Sequence, residues 1–287
     1  MPPPDRDPHE FEALRPRLQR LAYRMLGSVS EAEDVVQDAW LRWSSAETDI
    51  TSPAAWLNRV VTRLCLDRMK SARARRETYF GSWLPEPLVG STGPEEAVTD
   101  DVTYSLMLAL ERLSPLERAA FLLHDVFDVP LNEIAASLER DPAAVRQLAS
   151  RARRHVQDSR KRYVVAKAEA ERITDAFFAA LHDGDTARLS TMLAEDVVLQ
   201  SDGGGKVLAF PNIIHGIDRA LRLLTGITRK FGGARLIERT WIDGLPGYIS
   251  RDRSGNLQTT AVEVRDGKIA AVYFIRNPDK LRHIAER

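Results

Sequence analysis

The sequence predicts a multidomain protein with two all-α domains, the second a helix-turn-helix, followed by an α+β domain. Three observations predict it. Apolar residues recur at helical spacing through the first half, a proline- and glycine-rich segment interrupts them, and strand-like runs with Asp-Gly turns fill the last third. A length of 287 residues favours two or three domains. We therefore expect domains over 9–77, 102–162 and 163–287, with a linker over 78–101.

The overall composition excludes several classes of protein. Basic and acidic residues balance at 41 each, which argues against a uniformly basic nucleic-acid coat, although the charges are segregated along the chain. The single cysteine, Cys65, excludes an internal disulfide framework and a cysteine-rich zinc site. We expect no metal and no cofactor. Since no leader and no apolar run of membrane length is present, we expect a cytoplasmic protein without a membrane partner.

The first domain contains an unusually acidic helix. Gly27 and Ser28 interrupt the first helical pattern, and Ser30 with Glu33 predicts a capping box for the next helix. That helix concentrates acids and an amide in its first turns: Glu33, Asp34, Gln37 and Asp38. The helix dipole favours acids there, but they exceed what capping needs. A docking face and a structural role both stay open.

Two later helices are basic on one side. After Ser52-Pro53, apolar residues such as Leu57 and Val61 bury one face, and the polar residues that we single out on this helix are Arg59, Arg63, Asp67, Arg68 and Lys70. A second helix starts at the cap Asp141-Pro142 and buries Val145, Leu148, Ala149, Ala152 and Val156. Its other side carries Arg146, Gln147, Ser150, Arg153 and Arg154, with Arg151 at the edge. Guanidinium and amide groups suit phosphates and base edges, whereas the plain alternative is a solvated basic face.

The linker and the last domain have their own patterns. The cluster Trp83-Leu84-Pro85-Glu86-Pro87-Leu88 is more apolar than a free tether needs, so we expect a docked segment, an incidental cluster being the alternative. A helix around 163–183 precedes six strand-like runs, which are VVLQSD, KVLAF, RLIERTWI, YISRD, TTAVEVRD and KIAAVYFIR. A second helix is expected over PNIIHGIDRALRLLTGI, and Asp243-Gly244 and Asp266-Gly267 predict hairpin turns.

With these pieces in order, the chain resembles the extracytoplasmic-function (ECF) sigma factors of bacterial RNA polymerase. YRMLGSVSEAEDVVQDAWLRW is similar to the helix pair that docks on the polymerase clamp, AAWLNRVVTRLCLDRMKSARARR to the segment that opens and reads the −10 element, and the helix-turn-helix to the −35-reading domain. The remainder resembles a SnoaL-like domain of the nuclear-transport-factor-2-like fold, with a cone-shaped pocket. One ECF subgroup carries such an extension, and its signatures match WLPEPL, DGGGK at 202–206 and NPDKL at 277–281.

The resemblance implies roles for these residues. The acidic helix would meet the β′ clamp of core RNA polymerase, with the β flap as a second contact, and the two basic helices would bind promoter DNA. Arg146, Gln147, Ser150 and Arg151 are expected to read or clamp the −35 major groove, and Arg153 and Arg154 to contact phosphates. Many ECF factors have Asn at the positions of Arg63 and Asp67. Interdomain regulatory contacts are expected at Trp83, Leu84, Pro85, Glu86, Pro87, Asp202, Gly203, Gly204, Gly205, Lys206, Asn277, Pro278, Asp279 and Lys280.

Two other functions stay open at this point. A one-component regulator would use the helix-turn-helix on operators and the pocket to sense a small molecule, but it leaves the acidic helix unexplained. A SnoaL-like domain can also be an enzyme. His182, Asp183, His215 and Asp218 form no dependable catalytic set, so we expect no catalytic residue and no enzyme.

Overall fold

A computed structural model describes residues 8–47, 50–77, 79–90, 104–157 and 166–285. These residues fall into two compact units. The first holds the described residues up to Glu77 and from Ser105 to Gln157, and the second holds those of 79–104 and 166–285. Expectations for 91–101 of the linker and for the basic residues beyond Gln157 fall outside the described residues.

The first unit is entirely helical. Its helices are α1 (Pro8–Leu26), α2 (Val29–Ser44), α3 (Pro53–Glu77), α4 (Tyr104–Glu111, whose first residue belongs to the second unit), α5 (Pro115–Phe121), α6 (Leu131–Leu138) and α7 (Pro142–Gln157), and a π-helical segment, Leu122–Val126, extends α5.

Helices α1 to α3 form a bundle around aromatic contacts. The ring centroids of Phe11 and Trp40 lie 5.0 Å apart, and those of Trp43 and Trp56 lie 5.8 Å apart. The expected capping box at Ser30 is wrong. Helix α2 begins two residues earlier, because Ser28, and not Ser30, is extended and accepts a hydrogen bond from the backbone N–H of Glu31.

The helix-turn-helix is built as its sequence pattern predicts. Helix α6 ends at Glu139 in the left-handed conformation, and Asp141 caps α7 by accepting a hydrogen bond from the backbone N–H of Ala144 at 3.0 Å. The five apolar residues that were expected to bury one side of α7 are all buried: Val145, Leu148, Ala149, Ala152 and Val156. The opposite side of α7 therefore stays available to a partner.

Helices α1 to α3 form one helical block of this unit and α4 to α7 form a second. The two helical blocks pack against each other. Arg118 on α5 is 1% exposed and donates from Nη1 to the carbonyl of Met25 at 2.7 Å and to Glu111 at 2.8 Å. Arg17 on α1 donates to the carbonyl of Phe127 at 2.7 Å. A fully buried guanidinium is stable only while its partners stay in place, so Arg118 ties the second block to the first.

The second unit is an α+β domain. Its helices are α8 (Lys167–Asp183), α9 (Thr186–Met192), α10 (Ile217–Phe231) and α11 (Arg282–Ala285). Its strands are β1 (Val89–Gly90), β2 (Leu193–Asp202), β3 (Ile214–His215), β4 (Arg235–Ile242), β5 (Leu245–Arg251), β6 (Leu257–Arg265) and β7 (Lys268–Ile275).

The seven strands form one sheet in the order β1-β4-β5-β6-β7-β2-β3, antiparallel except for the parallel pair β2 and β7. Phe177 of α8, Leu189 of α9 and Leu224 of α10 join the core on one face of this sheet. Strand β1 comes from the linker, and Val89 pairs with Ile242 at the sheet edge. The linker is thus a structural part of the second unit.

Two expectations about this unit are wrong. KVLAF forms no strand, because Gly204 and Gly205 adopt positive φ angles of 61° and 69° and turn the chain after β2. The helix expected from Pro211 begins only at Ile217. Gly216, with φ of 85°, breaks the pattern, and the preceding residues pair with β2 as β3. The hairpin turns at Asp243-Gly244 and Asp266-Gly267 are present, with positive φ at all four residues.

Candidate functional site

Helix α2 presents its acidic side outward. Glu33, Asp34 and Gln37 are exposed, and Asp38 is half-buried. Arg68 of α3 donates to Asp34 at 3.3 Å and to Asp38 at 3.0 Å. Two of the four side chains expected to dock therefore also hold α3 against α2, while Glu33 and Gln37 have no such contact recorded among the described residues.

The basic side of α3 is only partly open. Arg59, Arg63, Asp67 and Lys70 are exposed, and Lys70 pairs with Asp67 at 2.9 Å. Arg63 reaches across to α6, where Nη2 lies 2.6 Å from Glu139 and Nε donates to the carbonyl of Ser137 at 3.3 Å. The guanidinium expected to contact DNA is thus engaged by the helix-turn-helix block.

Helix α7 carries its polar residues on one exposed face. Exposed residues of this face are Arg146, Gln147, Ser150, Arg151 and Arg154, and Arg153 is half-buried. Arg151 lies 3.4 Å from Glu117, and Arg153 lies 2.5 Å from Asp125. These two arginines are held by carboxylates of their own block, which leaves Arg146 and Gln147 as the more available pair.

In the second unit, folding brings together the three short motifs expected to be regulatory, around Asp202. Asp202 is 1% exposed, and its carboxylate accepts four hydrogen bonds. Its Oδ1 accepts from the Tyr79 hydroxyl at 2.6 Å and from the Gly204 N–H at 3.0 Å. Its Oδ2 accepts from the Leu84 N–H at 2.9 Å and from Lys280 Nζ at 2.7 Å. Both carboxylate oxygens are therefore satisfied inside the protein.

Lys280 supplies the positive charge of this cluster. It is 6% exposed, and its Nζ donates to the Leu84 carbonyl as well as to Asp202. The same ammonium lies 4.0 Å from the centroid of the Trp83 ring and 5.1 Å from that of Tyr79. A desolvated cation over two aromatic faces is favourable, so the linker and the C-terminal turn hold each other. We call Tyr79, Leu84, Asp202, Asn277 and Lys280 the Asp202 cluster.

Asn277 and the glycines complete the cluster. Asn277 Nδ2 donates to the Tyr79 hydroxyl at 2.8 Å, and its Oδ1 accepts from the Asp279 N–H at 3.0 Å. A Cβ at Gly204 would lie 2.3 Å from Asn277 Nδ2, and one at Gly203 would lie 2.2 Å from the carbonyl oxygen of Val207. Glycine is required at both positions because the neighbouring groups leave no room for a side chain.

An ion triad lies beside the cluster at the surface. Lys206 and Arg282 both contact Asp279, at 2.5 Å and 2.7 Å. Their hydrogen bonds lower the pKa of Asp279 below its ordinary value. Gly205 directly precedes Lys206, and Pro278 directly precedes Asp279. Both residues are exposed and connect this triad to the cluster along the chain.

The rest of the linker is fastened by further contacts. The Pro85 carbonyl accepts a hydrogen bond from the Tyr104 hydroxyl at 3.2 Å. The Pro87 carbonyl oxygen lies 2.9 Å from Nε2 of His283. Glu86 is buried. Tyr79 was missed from the sequence. The signal that could have found it is an aromatic hydroxyl directly before Phe80-Gly81, where a tether needs none.

A cavity of about 540 Å³ lies inside the second unit. Its apolar lining includes Leu181, Phe210, Leu223, Leu224, Ile227 and Phe274. Charged residues that line it are Lys230, Asp252, Arg253 and Arg276. His182, His215 and Asp218 are not among the lining residues, and His182 Nδ1 lies 3.2 Å from the carbonyl of Ala234.

Asp252 and Arg276 form an ion pair at the wall of this cavity. Burial by itself raises the pKa of Asp252, but hydrogen bonds from Asn256 and the charge of Arg276 outweigh it and leave that pKa below its ordinary value. Burial lowers the pKa of Arg276, and Asp252 opposes that shift. Both groups stay charged near neutral pH.

Two features are absent from the residues that the structure describes. Within them, no group of three or more His, Cys, Asp or Glu side chains is placed to hold a metal ion. No helix among the same residues combines the length and the apolar character that crossing a membrane requires.

Comparison with known proteins identifies the two helical blocks. Sequence profiles of sigma-70 region 2 and sigma-70 region 4 match residues 11–75 and 104–156. The chain is 41% identical to the ECF RNA polymerase sigma factor SigJ of Mycobacterium tuberculosis over 94% of its own length and 92% of that protein. It is 34% identical to the probable ECF sigma factor SigI of the same organism, over 94% and 93%.

A solved structure agrees with this result along nearly the whole chain. The crystal structure of M. tuberculosis SigJ superposes with a TM-score of 0.77 at 38% identity, covering 96% of this chain and 98% of that one. Regions 2 and 4 define a sigma factor of bacterial RNA polymerase. More narrowly, this chain belongs to the ECF sigma factors. The expected fold class and sigma-factor function are confirmed, and the one-component regulator is not favoured.

Proposed function

We propose that this ECF sigma factor binds core RNA polymerase through α2, reads a two-element promoter through α3 and α7, and is regulated in cis by its C-terminal domain. The observation that carries the proposal is the combination of one acidic and two basic helices within regions 2 and 4. A one-component regulator that binds a single operator would need only the basic helix of its helix-turn-helix, α7. A protein that works with RNA polymerase would act in the cytoplasm.

Core binding is assigned to the exposed part of α2. Glu33 and Gln37 would make charge-assisted and amide hydrogen bonds to a basic surface of the β′ clamp. Asp34 and Asp38 would contribute less, because Arg68 already neutralises part of their charge. Region 4 would contact the β flap.

DNA reading is divided between the two basic helices. On α3, Arg59, Arg63, Asp67, Arg68 and Lys70 are the residues assigned to the −10 element. On α7, Arg146, Gln147, Ser150 and Arg151 would read or clamp the −35 major groove, and Arg153 and Arg154 would contact phosphates. Before they could contact DNA, Arg151 would have to break its ion pair with Glu117, and Arg153 its ion pair with Asp125.

In this proposal, the arrangement in which regions 2 and 4 pack against each other is the form of the protein before it binds core polymerase. The two promoter elements are centred roughly 25 base pairs apart, on the order of 85 Å along B-form DNA at about 3.4 Å per base pair. Arg63 of region 2 and Glu139 of region 4 are only 2.6 Å apart. Both regions cannot occupy their elements in this arrangement, so binding to core polymerase must separate them.

Regulation in cis is assigned to the Asp202 cluster. The chain that joins α3 to α4 runs through this cluster and through β1, so the second unit fixes the middle of the connection between regions 2 and 4. Holding that connection shortens the free length available for separating the two regions. Releasing it would lengthen the tether and change promoter activity.

A binding role is favoured over catalysis for the C-terminal cavity. The carboxylate among its lining residues, Asp252, accepts hydrogen bonds from Asn256, from two backbone amides and from Arg276. A general base needs a free lone pair and a pKa near the working pH. Asp252 has neither property, so we propose that the cavity binds a small molecule and that the chain is not an enzyme.

Affinity for core polymerase, measured beside thermal stability, tests the division of roles on α2. Glu33→Gln should weaken core binding and leave thermal stability unchanged, because no contact of its side chain is recorded in the described parts of the chain. Asp38→Asn, the matched control, should lower stability because it removes a partner of Arg68. Undiminished core affinity in Glu33→Gln and in a combined Glu33→Gln/Gln37→Ala variant would overturn the assignment of α2.

A further inference from the structure

The cavity of the second unit has a chemical character that restricts its ligand. It is apolar over most of its surface, with Phe210, Leu224 and Phe274 among its walls, and its volume of about 540 Å³ is in the range of sites for drug-sized molecules. Such a lining favours a ligand whose larger part is hydrocarbon or an aromatic ring, since burial of apolar surface is the main source of affinity there.

The charges of the lining are unbalanced. Lys230, Arg253 and Arg276 are cationic, whereas the carboxylate among the lining residues is that of Asp252. Asp252 neutralises one cation through its ion pair with Arg276, and Lys230 and Arg253 are exposed at the edge. The lining therefore carries an excess of positive charge that an anionic ligand would balance.

Arg276 also has more donors than the protein satisfies. Its Nη1 donates to the carbonyl of Leu208 and its Nη2 to Asp252, while its Nε is buried with no hydrogen-bond partner among the described residues. Because that Nε is shielded from the cavity as well, the donors left for a ligand are the second N–H groups of Nη1 and Nη2, which together match the two oxygens of a carboxylate. Ser201 and Gln258 line the same cavity and can add hydrogen bonds.

We propose that this cavity binds an apolar carboxylic acid, with its hydrocarbon part among the apolar side chains and its carboxylate at the Arg276 end. The ligand is bound and not converted. The proposal deepens the binding role given above and rests on it. Arg276 also precedes Asn277, and its backbone N–H donates to the Asp202 carbonyl at 2.7 Å, so the anion end of the cavity adjoins the Asp202 cluster.

Calorimetric titration of the full chain with matched probes tests this proposal. Sodium 4-phenylbutyrate and sodium decanoate are compared with the uncharged amides of the same acids. We expect each carboxylate to bind at least tenfold more tightly than its amide. Arg276→Met should remove that preference without weakening amide binding, and Arg276→Lys should restore part of it.

A second variant keeps the test decisive if Arg276→Met does not fold. Ile227→Trp fills the cavity from α10 and touches none of the polar groups, so it should abolish binding of acid and amide alike. Equal affinity for acid and amide, absence of binding for every probe at millimolar concentration, or unchanged acid binding in Ile227→Trp would each overturn the proposal.

Transcription assays with core polymerase separate this proposal from the proposed function. A chain that transcribes but binds no carboxylate overturns the ligand and leaves the sigma-factor roles intact. A chain that binds the carboxylates but shows neither core binding nor initiation overturns those roles and leaves the ligand intact.

Discussion

The carboxylate of Asp202 and the ammonium of Lys280 lie 2.7 Å apart, with both side chains almost fully buried and the two residues 78 positions apart in the chain. One belongs to the end of β2 and the other to the turn after β7, and the linker backbone at Leu84 binds both. A buried pair of this kind contributes little net stability when intact but is costly to break from one side. It is thus suited to holding a segment in one defined place.

Lys280→Met should destabilise the second unit by about 3 kcal/mol, because it leaves Asp202 buried without its counter-charge. At 2–4 °C per kcal/mol this corresponds to a fall in melting temperature of roughly 6–12 °C. Calorimetry measures it, with Lys230→Met as an exposed control expected to shift the transition by less than about 1 °C. Similar transitions for the two variants would contradict a buried ion pair at Lys280.

The same variant should also change promoter activity. Lys280→Met weakens the hold on the Leu84 backbone, so initiation from a fixed promoter should differ from wild type in a full-length chain assayed below its melting temperature. Promoter activity equal to wild type, at matched folded concentration, would contradict regulation through the linker.

Arg118→Met should loosen the packing between regions 2 and 4, since it removes hydrogen bonds to Met25 and Glu111 from a fully buried position. Cys65 lies on α3, which packs against α5 and α6 of region 4, so the accessibility of its thiol reports this event. Cys65 is buried, and burial raises the pKa of its thiol, so alkylation at neutral pH should be slow in wild type. Iodoacetamide labelling should speed up by tenfold or more in Arg118→Met. Glu139→Gln breaks only an exposed pair and should change the rate by less than threefold.

Arg146 and Arg154 should behave differently on α7 if the assigned roles are correct. Arg146→Ala should lose about 1–3 kcal/mol of −35 binding and relax specificity at one position. Arg154→Ala should weaken binding to every sequence alike and reduce the salt slope by about 1. Fluorescence anisotropy over a set of −35 duplexes and salt concentrations distinguishes them. Indistinguishable sequence profiles would argue that both residues contact phosphates.

Acidification should destabilise the second unit partly through Asp279. Its pKa lies below the ordinary value of 3.8 in the folded state, so its contribution to stability is present above that value and is lost as the pH falls through the folded pKa. Asp279→Asn should therefore lose less of its melting temperature than wild type between pH 6 and pH 3. Asp218→Asn, an exposed substitution on α10, should follow wild type. An Asp279→Asn curve parallel to wild type would contradict the triad with Lys206 and Arg282.

The sequence determined the local structure and the class of protein. The cap Asp141-Pro142 and five spaced apolar residues were enough to place α7, because a helix start and a buried face depend on near neighbours. Asp243-Gly244 and Asp266-Gly267 placed two hairpins for the same reason. Where two local signals competed, as at Ser28 and Ser30 or at Gly216, the pattern gave the wrong boundary.

Tertiary structure alone decided which distant groups meet. No periodicity indicates that Arg63 contacts Glu139, that Arg118 joins region 4 to region 2, or that Tyr79 and Lys280 share Asp202. Such contacts depend on chain segments that are separated by tens to hundreds of residues and are brought together by burial of the two cores. The sequence therefore indicated the helices that we propose to read the promoter, and folding determined which contacts restrain them.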